Sequence, residues 1–104
     1  MEQWLLIVET NCKDKSRETE FDAWYDTIHI PDILEGSPGF KKVARYINRN
    51  PLPGQGKYLA IYEIETTDID ATMKSHQENV EAKYALGRKS QILEVVSRRI
   101  CKVK

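Results

Sequence analysis

Apolar positions along the chain follow two periods, and the switches between them set an order of elements. Residues 3–10, QWLLIVET, form a short apolar run rich in β-formers and read as a first strand. The polar NCKDKSRE that follows breaks the run; Asp14 or Ser16 can cap a helix, and Glu18 and Glu20 suit its first turn. Phe21, Trp24, Tyr25 and Ile28 then recur at i, i+3, i+4 and i+7, one face of a helix. Pro31 lacks a backbone donor and clashes with the carbonyl four residues back, so the regular helix should end or bend near His29 and Ile30. A second short turn should open at Pro31, with Asp32 in its first turn and Ile33 and Leu34 packing inward.

GSPGF, residues 36–40, is turn chemistry, and FKKVARYIN, 40–48, is a second strand. RNPLPGQG is a polar loop, and KYLAIYEIE, 57–65, a third strand. Thr67 or Asp68 caps a second helix whose stripe is Ile69, Met73, His76, Val80 and Tyr84, with Gly87 as its stop. QILEVVSRRICKV, 91–103, is the fourth strand. The order β-α-β-β-α-β predicts an α+β, ferredoxin-like fold: a four-stranded antiparallel sheet with two helices on one face, in a single domain over 1–104.

Strands alternate their side chains between two faces, and both faces here carry apolar residues. Strand one sets Trp4, Leu6 and Val8 against Leu5 and Ile7. Strand three sets Tyr58, Ala60, Tyr62 and Ile64 against Leu59 and Ile61, and strand four sets Leu93 and Val95 against Ile92, Val96 and Ile100. Two helices cover one face only. An uncovered apolar sheet would be a patch that soluble monomers rarely tolerate, so a second copy packing sheet to sheet is expected, giving a homodimer.

Charge and composition narrow the partners. Sixteen Lys and Arg balance sixteen Asp and Glu, which argues against nucleic acid or an anionic membrane surface. No run approaches the length of a membrane span, and the first residues read as a strand rather than a signal peptide, so the cytoplasm is the expected location. Cys12 and Cys101 fall at opposite ends of neighbouring antiparallel strands, too far apart to bridge, and neither has metal-ligand spacing. No phosphate loop, nucleophile elbow, haem motif or metal cluster stands out, so no cofactor is expected.

What remains is His29, between two isoleucines and beside Trp24 and Tyr25. On an ideal helix it lies about 80° round from Phe21, at the edge of the buried stripe. Asp26 is three residues back, near enough to orient the ring. An imidazole titrating near neutrality, a carboxylate beside it and a phenol in reach make a general-base arrangement. The same histidine near a helix end can simply cap free carbonyls, and residue types leave both readings open. His76, on the stripe of the second helix, reads as a core or pocket-lining group. Tyr46, Tyr58 and Tyr62 suit sheet packing, with one or two hydroxyls free to enter a pocket. Glu63 suits a cross-strand ion pair, with Arg45 as a candidate partner.

FDAWYDTIHIPDIL, PGFKKVARYI and GKYLAIYEIE together resemble the EthD-like branch of the dimeric α+β barrel superfamily. The match runs through Trp24, Tyr25, His29, Pro31, Pro38–Phe40, Arg45–Tyr46 and the KYLAIYE strand, and covers residues 21–65. The resemblance implies a homodimer with facing sheets and a small-molecule pocket between helices and sheet in each protomer. It implies a cofactor-independent isomerase, lyase or cyclase, or a monooxygenase, acting on a small oxygenated or aromatic compound, or a non-catalytic binding protein with the same pocket. By that resemblance His29 is the proton shuttle, Tyr25, Tyr46 or Tyr62 polarises a carbonyl and Trp24 lines the pocket; the spacing adds Asp26 beside His29 and His76 as a pocket-lining group.

Overall fold

The structure, a computed structural model, describes residues 1–104. Strands β1 (Glu2–Cys12), β2 (Phe40–Ile47), β3 (Tyr58–Thr66) and β4 (Leu93–Lys102) form one antiparallel sheet in the order β2-β3-β1-β4. This is the ferredoxin-like arrangement expected from the pattern. Leu6, Val8, Ala60, Tyr62 and Ile64 are buried beneath the helices. Leu5, Ile7, Leu59 and Ile61 point to the open face and stay half-buried. Trp4↔Lys102 and Cys12↔Leu93 close the two ends of the β1–β4 ladder, so Cys12 and Cys101 lie about seven strand residues apart, roughly 24 Å.

The first helix is interrupted near His29 and Ile30, as Pro31 predicts, but by a wider turn rather than a stop. Helix α1 (Glu18–Trp24) does not end before Pro31; it passes through a π turn, Tyr25–His29, into α2 (Ile30–Gly36). The Ile30 amide donates to the Tyr25 carbonyl, five residues back. A five-residue turn suits Pro31, which can neither donate to the carbonyl four residues back nor pack its ring against it. The Thr27 hydroxyl donates to the Ala23 carbonyl at 2.5 Å, occupying an acceptor within the same stretch. The extra residue rotates everything after it by about one helical step, roughly 100°. Ile33 is therefore buried, while Leu34, expected inside, is exposed.

β4 holds a second inserted residue. Glu9 pairs with Ser97 but Thr10 with Val95, so Val96 is a bulge. Beyond it the faces swap: Ile100, expected on the open face, shares the helix side with Leu6, and Arg98 shares it with Val8. Glu9 pins the bulge from the open face, accepting from Ser97 Oγ at 2.7 Å and the Gly56 amide at 3.1 Å. These bonds, the Ser97 hydroxyl foremost, hold its carboxyl below the usual range.

Arg45 ties β2 to α1. It is opposite Ala60 on the helix side, so it does not meet Glu63; that residue opposes Lys42 instead, with the charges 3.9 Å apart. The Arg45 guanidinium bonds Asp22 at 2.9 Å and Asp26 at 3.1 Å, and lies 4.3 Å over the Tyr25 ring. Its side chain is only 15% exposed while the two carboxylates are 48% and 61% exposed, so the ring contact is shielded and the ion pairs are open to water. Helix α3 (Ile69–Ala85) is capped by Asp68, whose carboxylate accepts from the Ala71 amide at 3.1 Å. Arg45→Met should lower stability to urea by about 1–3 kcal/mol. Lys42→Met, at an exposed pair, should change it by less than about 0.5 kcal/mol.

Candidate functional site

α3 packs chiefly against α2 and buries only Thr72 and His76 fully. The apolar stripe expected to seal the core, Met73, Val80 and Tyr84, instead lines a cavity between α3 and the sheet. Leu6 and Val8 of β1, Leu93 and Val95 of β4, and Ile33 of α2 supply its other apolar walls. Polar groups enter from every side: Tyr25, His29, Tyr62, His76, Gln77, Tyr84 and Arg98. Its volume of about 70 Å³ holds roughly five to seven waters, the scale of a single-ring compound.

The π turn carries His29 into this space. Its ring stacks on Trp24 with centroids 4.6 Å apart, lies edge-on to Tyr25 at 5.1 Å, and faces Tyr84 at 6.3 Å. His29 lies mid-helix, so it caps no helix end; that reading fails because the helix runs through Pro31. Apolar packing holds the ring, and no protein hydrogen bond engages it. Neither of its nitrogens is sealed from solvent. Both remain available to a ligand.

His76 is held differently. Its ring stacks on Phe40 at 4.5 Å, and its Nδ1 lies 2.9 Å from Ser37 Oγ. Asn79 Nδ2 donates to that oxygen at 3.0 Å and to the Asp32 carbonyl at 3.1 Å. With the Asn79 amide already donating, the Ser37 hydroxyl satisfies its own proton by donating to Nδ1. The histidine then carries its proton on Nε2, its free polar atom. Gly36 makes this relay sterically feasible, since a Cβ there would collide with the Asn79 amide.

Burial sets the titration of the site. Both histidines are pushed down to about 4, by burial first; the Arg98 charge adds to the effect on each. Both are neutral at pH 7, not poised near neutrality as the sequence suggested. Burial also raises the phenols of Tyr25, Tyr62 and Tyr84, so all three stay protonated donors.

Of the residues singled out from the sequence, Tyr25, His29, Tyr62 and His76 meet at the cavity. Trp24 backs His29 and anchors elsewhere, its Nε1 donating to the Arg88 carbonyl at 2.9 Å. Asp26 points outward to Arg45, which leaves His29 without the carboxylate expected beside it. Tyr46 stands on the open sheet face, opposite Leu59, and is 53% exposed. Sequence reasoning missed Arg98, Ser37 and Asn79. The spacing of Asn79, three residues after His76, could have flagged it; Arg98 was hidden by the bulge.

No family model and no curated protein sequence matches the chain. Among solved structures it resembles a "putative monooxygenase" from Shewanella loihica PV-4 at TM-score 0.62 and 15% identity, over 100% of this chain and 97% of that one. An ethyl tert-butyl ether D (EthD) family protein from Bacillus halodurans C-125 gives 0.55 and 14%, over the whole of both chains. A dimeric ferredoxin-like protein of unknown function from Thermobifida fusca YX gives 0.58 and 10%, over 98% and 90%.

Protonation of the histidines generates a pH prediction. Their folded pKa lies below the unfolded value of about 6.5, so the unfolded chain binds more protons between 6.5 and 4. Stability should be full above pH 6.5 and fall as the pH drops toward 4, by roughly 3 kcal/mol per histidine at most. Urea midpoints across this range should show the loss, and His76→Gln should remove about half of it, leaving the His29 share. The fold itself is ferredoxin-like, and the EthD family protein and the dimeric ferredoxin-like protein share it.

Proposed function

We propose that the cavity binds a small oxygenated or aromatic compound and that the protein is a cofactor-independent isomerase, lyase or cyclase with His29 as its proton shuttle. The observation that carries this reading is a histidine fixed by ring stacking at a cavity, with both nitrogens free of protein partners. In this reading a C–H bond next to a substrate carbonyl gives its proton to His29, and a neutral tyrosine, Tyr25 or Tyr62, donates to the developing enolate oxygen. The fold neighbour named as a monooxygenase supports a variant in which the same carbanion meets oxygen.

The low basicity of His29 and its lack of a carboxylate partner favour a second reading, a binding protein that performs no chemistry. Deuterium exchange separates the two. Phenolic ketones and lactones that shift the histidine ring resonances should incorporate deuterium next to the carbonyl in heavy water. His29→Gln should abolish this while stability changes by no more than about 1 kcal/mol. Binding without exchange selects the second reading.

The open sheet face supports a homodimer. Half-buried Leu5, Ile7, Leu59 and Ile61 and exposed Tyr46 form its apolar part. Sedimentation at micromolar concentration should give twice the 12.1 kDa chain mass, and a monomer would refute the assembly.

A further inference from the structure

We infer that the ligand of this cavity is a small carboxylate, anchored through its oxygens by the Arg98 guanidinium; this rests on the small-molecule reading of the cavity above. Arg98 reaches the cavity only because the Val96 bulge swaps the faces of β4; in an unbroken strand Ser97 and Arg99 would face the helices. The neighbouring cations are engaged: Arg99 lies 3.7 Å from Glu9, and Arg88 grips Asp32 through two bonds of 2.7 and 3.0 Å. Arg98 has no acidic partner within ion-pair distance, and neither does Lys83 at the cleft between α2 and α3.

The acid at the neighbouring cleft, Asp32, is already neutralised by Arg88. Arg98 is exposed, so its unpaired guanidinium stands on the solvent side of the cavity, where an anion entering from water would meet it. The other polar groups agree in sense. His76 offers Nε2–H and the tyrosines offer hydroxyls, so donors outnumber acceptors, as an oxyanion requires. Leu6, Val8, Leu93 and Val95 supply walls for a ring or short chain, which suits one planar carboxylate better than a phosphate needing many donors.

The downward push of Arg98 on both histidines is the other side of the same field. A bound anion would offset that push and make His29 more basic when substrate is present.

Benzoate and benzamide are matched probes that differ in charge. Calorimetry and the histidine ring resonances should show benzoate binding about tenfold or more tighter than benzamide. Added salt should erode that advantage, Arg98→Gln should remove it, and Arg98→Lys should keep part of it. Equal affinities, or a benzoate advantage that survives in Arg98→Gln, overturn the carboxylate while leaving a small-molecule cavity standing. If neither probe moves the His29 or His76 signals, both readings fall. Salt dependence in the unaltered protein keeps the test valid even if a variant folds poorly.

Discussion

One hydrogen bond, from the Ile30 amide to the Tyr25 carbonyl, governs the geometry of the site. It spans five residues where an α-helix spans four, and so turns everything beyond it by about a residue step. On an unbroken α-helix His29 would sit at the rim of the buried stripe, beside Asp26. With the wider turn it stacks between Trp24 and Tyr84, and Asp26 is left to Arg45. The rigidity of the site is thus mostly aromatic. Phe21, Trp24, Tyr25 and His29 contact one another in edge-on, tilted and stacked pairs, and Arg45 closes the group from β2.

Much of the fold was legible because the relevant signals are local. Alternation in KYLAIYEIE marks a half-buried strand, and all its even-numbered residues from Tyr58 to Ile64 are buried. Asp68 before an apolar stripe marks a helix start, and its carboxylate caps that helix. Two kinds of feature resisted reading. Single-residue insertions, the π turn and the Val96 bulge, leave the composition of a segment unchanged and alter only its phase. Long-range pairings such as Arg45 with Asp22, or Ser37 with His76, depend on which elements meet. Periodicity therefore placed His29 near the cavity but gave it the wrong neighbour, and it set Ile100 on the wrong face.

The polar groups around the cavity divide into fixed and free. Ser37, Asn79 and His76 form a relay whose direction sets one tautomer, and Asp32 with Arg88 and Trp24 secures the loop that leads into β4. His29 and Arg98 have no such partners. Burial makes an unpaired polar group costly when it is sealed, so free groups at a cavity wall are tolerable only where water or a ligand reaches them. No buried side-chain nitrogen or oxygen lacks a partner, so the free groups of the cavity are ones that water or a ligand reaches.

The Val96 bulge has an evolutionary consequence. Val96 is the extra residue, so deleting it would restore regular pleating with Val95 still opposite Thr10, Ser97 opposite Glu9 and Arg98 opposite Val8. The cavity would keep its cation, whereas drawing Val96 into the regular ladder at unchanged length would turn Arg98 and Ile100 to the open face. A lineage carrying this fold can therefore gain or lose a residue at this one place in β4 without exchanging the chemistry of its cavity.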